Sequence, residues 1–142
     1  AEVARRARKL GIKQEINYVF TVQEEIGLYG AKTSAYKIEP DWALVLDVNS
    51  TNEENSIRIA GKGPTITVID SSTIGNKCIN DHIMKICRKK GIPLQVDVSN
   101  VGTTDALAIS ISKEGVPSTS IGIPIKNLHT AFRRAQVTSV LV

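Results

Sequence analysis

"DWALVLDV", residues 41 to 48, decides the architecture. Trp42 to Leu46 is unbroken apolar sequence. A strand with one wet face alternates apolar with polar residues. A short continuous run reads instead as a strand covered on both faces, which is the habit of parallel sheets. Outward from it, "EINYVFTV" (15–22), "PTITVID" (64–70), "LQVDV" (94–98) and "VPSTSIGIP" (116–124) also read as strands. Between them lie helical patterns. Residues 2–10 form one, closed by Gly11. A second runs over 27–36, opening after Glu25. The third, 77–91, carries an apolar stripe of Ile79, Ile83 and Ile86 and stops at Gly91 and Pro93. The fourth, 103–115, is capped by Thr103 or Thr104 and ends at Gly115. A polar loop covers 49–56, and a loop over 125–135 leads to a last short segment that reads as helical. The alternation predicts one α/β domain over residues 1–142, with a mostly parallel sheet flanked by helices.

Composition agrees and sets limits. The chain has 142 residues, enough to bury a core without disulfide or metal staples. Aromatics are 4%, so the core must be aliphatic. No run approaches the roughly 18 apolar residues of a membrane span, and no signal peptide is visible. The chain begins Ala-Glu-Val, without a methionine, and so reads as a processed chain or a fragment. The net charge of +4 gathers at Arg5 to Lys13, Lys85 to Lys90 and Arg133-Arg134. Without interleaved aromatics or a nucleic-acid motif, these read as solvated helix faces and helix C-termini. Cys78 and Cys87, nine residues apart, sit roughly 13 Å apart along one helix. They cannot pair, and free thiols fit a cytoplasmic setting.

In open α/β sheets, functional groups gather outside the carboxyl ends of strands. Glu24 and Glu25 follow the 15–22 run. Asp47 nearly ends the 41–48 run. Thr104 and Asp105 follow 94–98, and His129 follows 116–124. Carboxylate oxygen with imidazole nitrogen is the donor set of a divalent metal. Neighbouring side chains on an extended segment point apart, so one glutamate of the pair can ligate while the other faces a bound water. Each residue also has a plainer reading. Glu24-Glu25 suit a helix N-terminus, Asp47 a turn, Asp105 a first helical turn, and His129 an ordinary loop.

Five stretches sharpen the choice: "FTVQEEIGLYGA" (20–31), "ALVLDV" (43–48), "GKGPTITVIDSS" (61–72), "VGTTDALAIS" (101–110) and "EGVPSTSIGIPIKNLHT" (114–130). In this order they resemble the successive motifs of the TET-type, or glutamyl (deblocking), metalloaminopeptidases, also once called cellulase M endoglucanases. The resemblance implies a three-layer, zinc-aminopeptidase-like fold. It implies an enzyme that removes N-terminal residues from peptides with two divalent metals, zinc or cobalt. By resemblance, Glu24 is the general base, Glu25 and His129 ligate one metal, and Asp47 ligates the second. Thr104 and Asp105 shape the site behind the ligands or on the substrate side. The family's upstream segment, with an H-x-D histidine and a bridging aspartate, and its inserted small β-domain are absent from these 142 residues. The expectation is therefore the C-terminal portion of a catalytic domain, associating with itself or with a complementary fragment. The alternative is a truncated or split-gene, inactive relative serving as a binding or assembly subunit.

Overall fold

The computed structural model describes residues 2–51, 58–131 and 134–135. Its strands are β1 (Ala43–Ser50), β2 (Thr65–Ile69), β3 (Gln95–Val98), β4 (Ser118–Lys126) and the two-residue β5 (Arg134–Ala135). β1 lies parallel to β4, from Ala43 beside Ser118 to Ser50 beside Ile125. β2 lies parallel to β3. An antiparallel junction joins the two pairs, Thr65 beside Gly122 and Ile66 beside Ile121. The order is β1-β4-β2-β3, with β5 antiparallel to the end of β4. Parallel pairing thus carries most of a mixed sheet.

The helices are α1 (Glu2–Lys9), α2 (Tyr29–Ile38), α3 (Lys77–Lys90) and α4 (Asp105–Ser110). α3 begins at Asn76, whose side chain accepts from the Ile79 amide, and ends at Gly91 in the left-handed conformation. It lies over β2 and β4. There the Thr119 hydroxyl donates to Asn80 Oδ1 (2.6 Å), and Asn80 Nδ2 donates to the Thr67 carbonyl (2.9 Å). α4 packs on β1 and β4 and against α2. The buried apolar residues are small or aliphatic: Ala31 and Ala35 of α2, Ala106 and Ala108 of α4, and Val45, Ile66 and Ile125 of the sheet. Alanines let the two helices approach closely, in keeping with a core poor in aromatics.

The sheet also buries a polar group. Arg58 Nε donates to both oxygens of Asp97 at 3.0 Å, and both residues are buried. Asn49 Nδ2 donates to Thr65 Oγ1 (2.7 Å). Gln95 accepts from the Ile59 amide and donates to the carbonyls of Ile59 and Gly63, fixing the loop before β2.

Three expectations change. Residues 15–22 form no strand. Among the described residues no neighbouring strand offers them a ladder, and a strand-like sequence without a partner stays an extended coil. Its apolar side chains stand in solvent, Phe20 at 87% exposure. The 41–48 run is a strand, but β1 is an outer strand with only one face covered: Val45 is buried, whereas Leu44, Leu46 and Val48 are exposed. Third, β5 falls within the stretch read as a loop. The last segment, read as helical, lies outside the described residues.

Candidate active site

Glu24 and Glu25 sit in a single 3-10 turn, Glu24–Ile26. The chain enters it through Gln23 at φ 58 and leaves through Gly27 at φ 138. A left-handed glutamine is strained, so the turn is shaped by its contacts rather than by local preference. The amides of Gly27 and Leu28 both bond to the Glu24 carbonyl. Leu28 is left-handed too, and helix α2 starts only at Tyr29.

Asp47 lies on the face of β1 opposite Leu46 and accepts from the following amide, Val48 N, at 2.7 Å. Thr104 is the N-cap of α4, its hydroxyl accepting from the Ala106 amide at 3.3 Å. Asp105 is the first residue of that helix and is 7% exposed. The antiparallel junction puts the carboxyl end of β3 at the opposite end of the sheet from that of β4. Asp105 therefore reaches the cluster through α4, which crosses β1 and β4, and not as one of a row of strand ends. His129 follows β4 in a turn where the Thr130 amide and hydroxyl both bond to the Asn127 carbonyl.

Two of these groups touch. His129 Nδ1 stands 3.3 Å from Glu25 Oε1, and both side chains are mostly exposed. The others interact through charge. Burial, then the carboxylates of Asp47, Asp105 and Glu25, push the Glu24 carboxyl up to about 6, against a smaller opposing pull from His129. Asp47 is also raised, by burial first and then by Asp105 and Glu25, against the Val48 amide. Four carboxylates thus share a region with one imidazole. Asp105 Oδ1 is buried with no hydrogen-bond partner among the described residues. An excess of negative charge with an unmet acceptor suits a divalent cation in donor chemistry. The arrangement is looser than a finished centre: among the described residues, no group of three His, Cys, Asp or Glu side chains is placed to hold a metal ion.

Thr21 was not singled out from the sequence. Its hydroxyl donates to Asp105 Oδ2 at 2.6 Å. The available signal was a small polar residue inside the otherwise apolar run Tyr18–Val22, and the partner lies too far along the chain to infer.

Comparison with known proteins shows what the chain is similar to. The profile of the M42 glutamyl aminopeptidase family matches residues 1–141. The lysyl aminopeptidase of Pyrococcus furiosus is 34% identical over 140 residues, covering 94% of this chain and 40% of that protein. The crystal structure of a TET aminopeptidase from a marine sediment Thaumarchaeota archaeon superposes with a TM-score of 0.78 at 36% identity, over 91% of this chain and 38% of that one. The TET1 peptidase of Pyrococcus horikoshii, described as assembling into a tetrahedron or a large octahedral shell, gives 0.69 at 33% identity, over 80% and 34%. The chain therefore spans between about a third and two fifths of the length of these relatives. With residues 1–141 matched, the chain belongs to the M42 glutamyl aminopeptidase family.

Proposed function

We propose that this chain carries part of the active site of a metal-dependent aminopeptidase, one that hydrolyses the N-terminal residue from peptides. The observation that carries the reading is the placement of Glu24: a half-buried carboxylate near those of Asp47 and Asp105, next to the Glu25–His129 contact. A carboxylate so placed can take a proton and give it back. Glu24 would accept the proton of the attacking water and deliver it to the leaving amine. Glu25 and His129 would hold one divalent ion, zinc or cobalt, and Asp47 would serve a second. A bound ion would supply Lewis-acid polarisation of the scissile carbonyl and lower the pKa of water. Thr104 caps the start of α4, and Asp105 would shape the site behind the ligands or on the substrate side, its charge acting on Glu24. The donors that complete the metal site would come from polypeptide beyond the described residues. We also assign the protein a homo-oligomeric or complemented assembly and a cytoplasmic location. Among the described residues, no helix is long and apolar enough to cross a membrane.

One observation favours a second reading: no three described donors are placed for a metal. On that reading the chain is an inactive family member that serves as a binding or assembly subunit.

The test is metal content of the purified protein together with hydrolysis of aminoacyl anilides with added zinc or cobalt. We expect bound metal and turnover. Glu24→Gln should lower kcat by about 10²- to 10⁴-fold and keep the metal, whereas Glu25→Gln and His129→Ala should lose it. No metal and no turnover would leave the subunit reading. Full turnover in Glu24→Gln would remove Glu24 from the base role.

A further inference from the structure

We propose that Thr21 is a positioning residue, its hydroxyl tying the turn that carries Glu24 to Asp105 on α4. The proposal rests on the reading of Glu24 as the working carboxylate, but its geometry stands independently of that reading.

The Glu24 turn needs holding. Among the described residues, the backbone of 13–20 makes no hydrogen bond. Among the described residues, 15–22 have no sheet neighbour. Two ties remain. The Gly30 amide donates to the Val22 carbonyl at 3.0 Å. This tie is a close approach: a Cβ on Gly30 would lie 2.4 Å from the Val22 nitrogen, so only glycine lets the segment lie against the start of α2. The other is the Thr21–Asp105 hydrogen bond, 2.6 Å and partly buried. Its acceptor is a carboxylate, which makes it stronger and shorter than a neutral pair.

The two ties differ in what they determine. Gly30 sets how close the segment lies to α2. Thr21 sets its register against α4 and β1, where Asp47 and Asp105 stand. Just beyond Thr21 the chain adopts the left-handed Gln23 that opens the Glu24 turn. Such a residue persists only where its surroundings over-determine it. Asp105 is well suited as an anchor, since it is buried in the first turn of a helix capped by Thr104. With Oδ1 already unpartnered, Thr21 is the side chain that satisfies this carboxylate.

Two variants separate positioning from bulk stability. Thr21→Val keeps the shape and removes the donor, and Thr21→Ser restores it. Amide hydrogen exchange of the intact metal-free protein is the primary readout. Thr21→Val should speed exchange of the Gly27 and Leu28 amides, which close the Glu24 turn, by about tenfold or more. It should leave the β4 amides unchanged, and Thr21→Ser should behave like the parent. If the valine variant does not fold, Asp105→Asn, which weakens the same bond, takes its place in the same experiment. Unchanged exchange at Gly27 and Leu28, or a serine variant as loose as valine, would overturn the proposal. The second readout is aminoacyl-anilide hydrolysis. There Thr21→Val should lower kcat by up to about 10²-fold, the cost of a reacting group misplaced by an ångström, with KM held and metal content unchanged. A parent protein without turnover would count against the aminopeptidase reading, and the exchange result would still decide the role of Thr21.

Discussion

At the scale of single residues, the cluster around Glu24 makes the stability of the metal-free protein depend on pH with a sign that can be derived. The Glu24 carboxyl stands at about 6 in the fold against an ordinary 4.5. Near pH 7 it is ionised in both folded and unfolded chains, and the folded state bears the cost of that charge among its neighbours. As pH falls through 6 the folded state takes up the proton first. The unfolded state follows only near 4.5, so stability rises across that window. Asp47, also raised, contributes with the same sign. Glu24 is only half-buried, so solvent screening keeps the gain modest. Denaturant unfolding at about pH 7 and about pH 5 checks it. The gain should be smaller in Glu24→Gln than in the parent protein, and an equal gain in both would show that other groups set the pH dependence. The members of this cluster were visible in the sequence, because Gln23-Glu24-Glu25 and Leu128-His129-Thr130 are distinctive in type. Their contacts were not. No periodicity links His129 to Glu25 or Thr21 to Asp105.

At the scale of elements, the loop before β2 shows what a buried ion pair does. Arg58 and Asp97 satisfy each other beneath the sheet, and Asp97 is 2% exposed. Replacing Arg58 by Leu leaves a buried carboxylate without its cation and should cost about 3–5 kcal/mol. Replacing both residues by apolar ones of similar size should recover much of that loss, since the desolvation of two charges disappears with them. Urea unfolding of the single and double variants measures both. A single variant within about 0.5 kcal/mol of the parent would mean that the pair carries no stability. Helix ends were legible in part: Gly91 ends α3 as read, whereas α4, read over 103–115, is only Asp105–Ser110. Strands were less so. "EINYVFTV" and "ALVLDV" have the same apolar character, yet β1 has β4 beside it and 15–22 has no strand neighbour among the described residues. Strand formation is a property of pairs, and a single run cannot reveal its partner.

At the scale of the whole molecule, the open face is the main feature. Leu44, Leu46 and Val48 of β1, Ile123 of β4 and the apolar side chains of 15–22 are all exposed, Leu46 at 67%. Exposed apolar surface of this extent drives association. We expect the isolated chain to self-associate with rising concentration, as read by sedimentation velocity. Leu46→Glu combined with Phe20→Ser should shift it toward monomer. A parent chain that stays monomeric at all concentrations would contradict this. Addition of a complementary polypeptide from the same family should cover the same surface and protect residues 15–22 from exchange.

The sequence by itself determined the α/β class, the aliphatic core, the capped helices and the kinds of side chain that gather at the site. Those follow from local patterning, capping chemistry and residue type, which act over a few positions. Only the tertiary structure decided the rest: an antiparallel joint in a largely parallel sheet, one bare face of β1, a segment without a strand partner among the described residues where a strand was expected, and the contacts of Glu25 with His129 and Thr21 with Asp105. These depend on which distant segment lies alongside which, and that is set by burial and pairing over the whole chain.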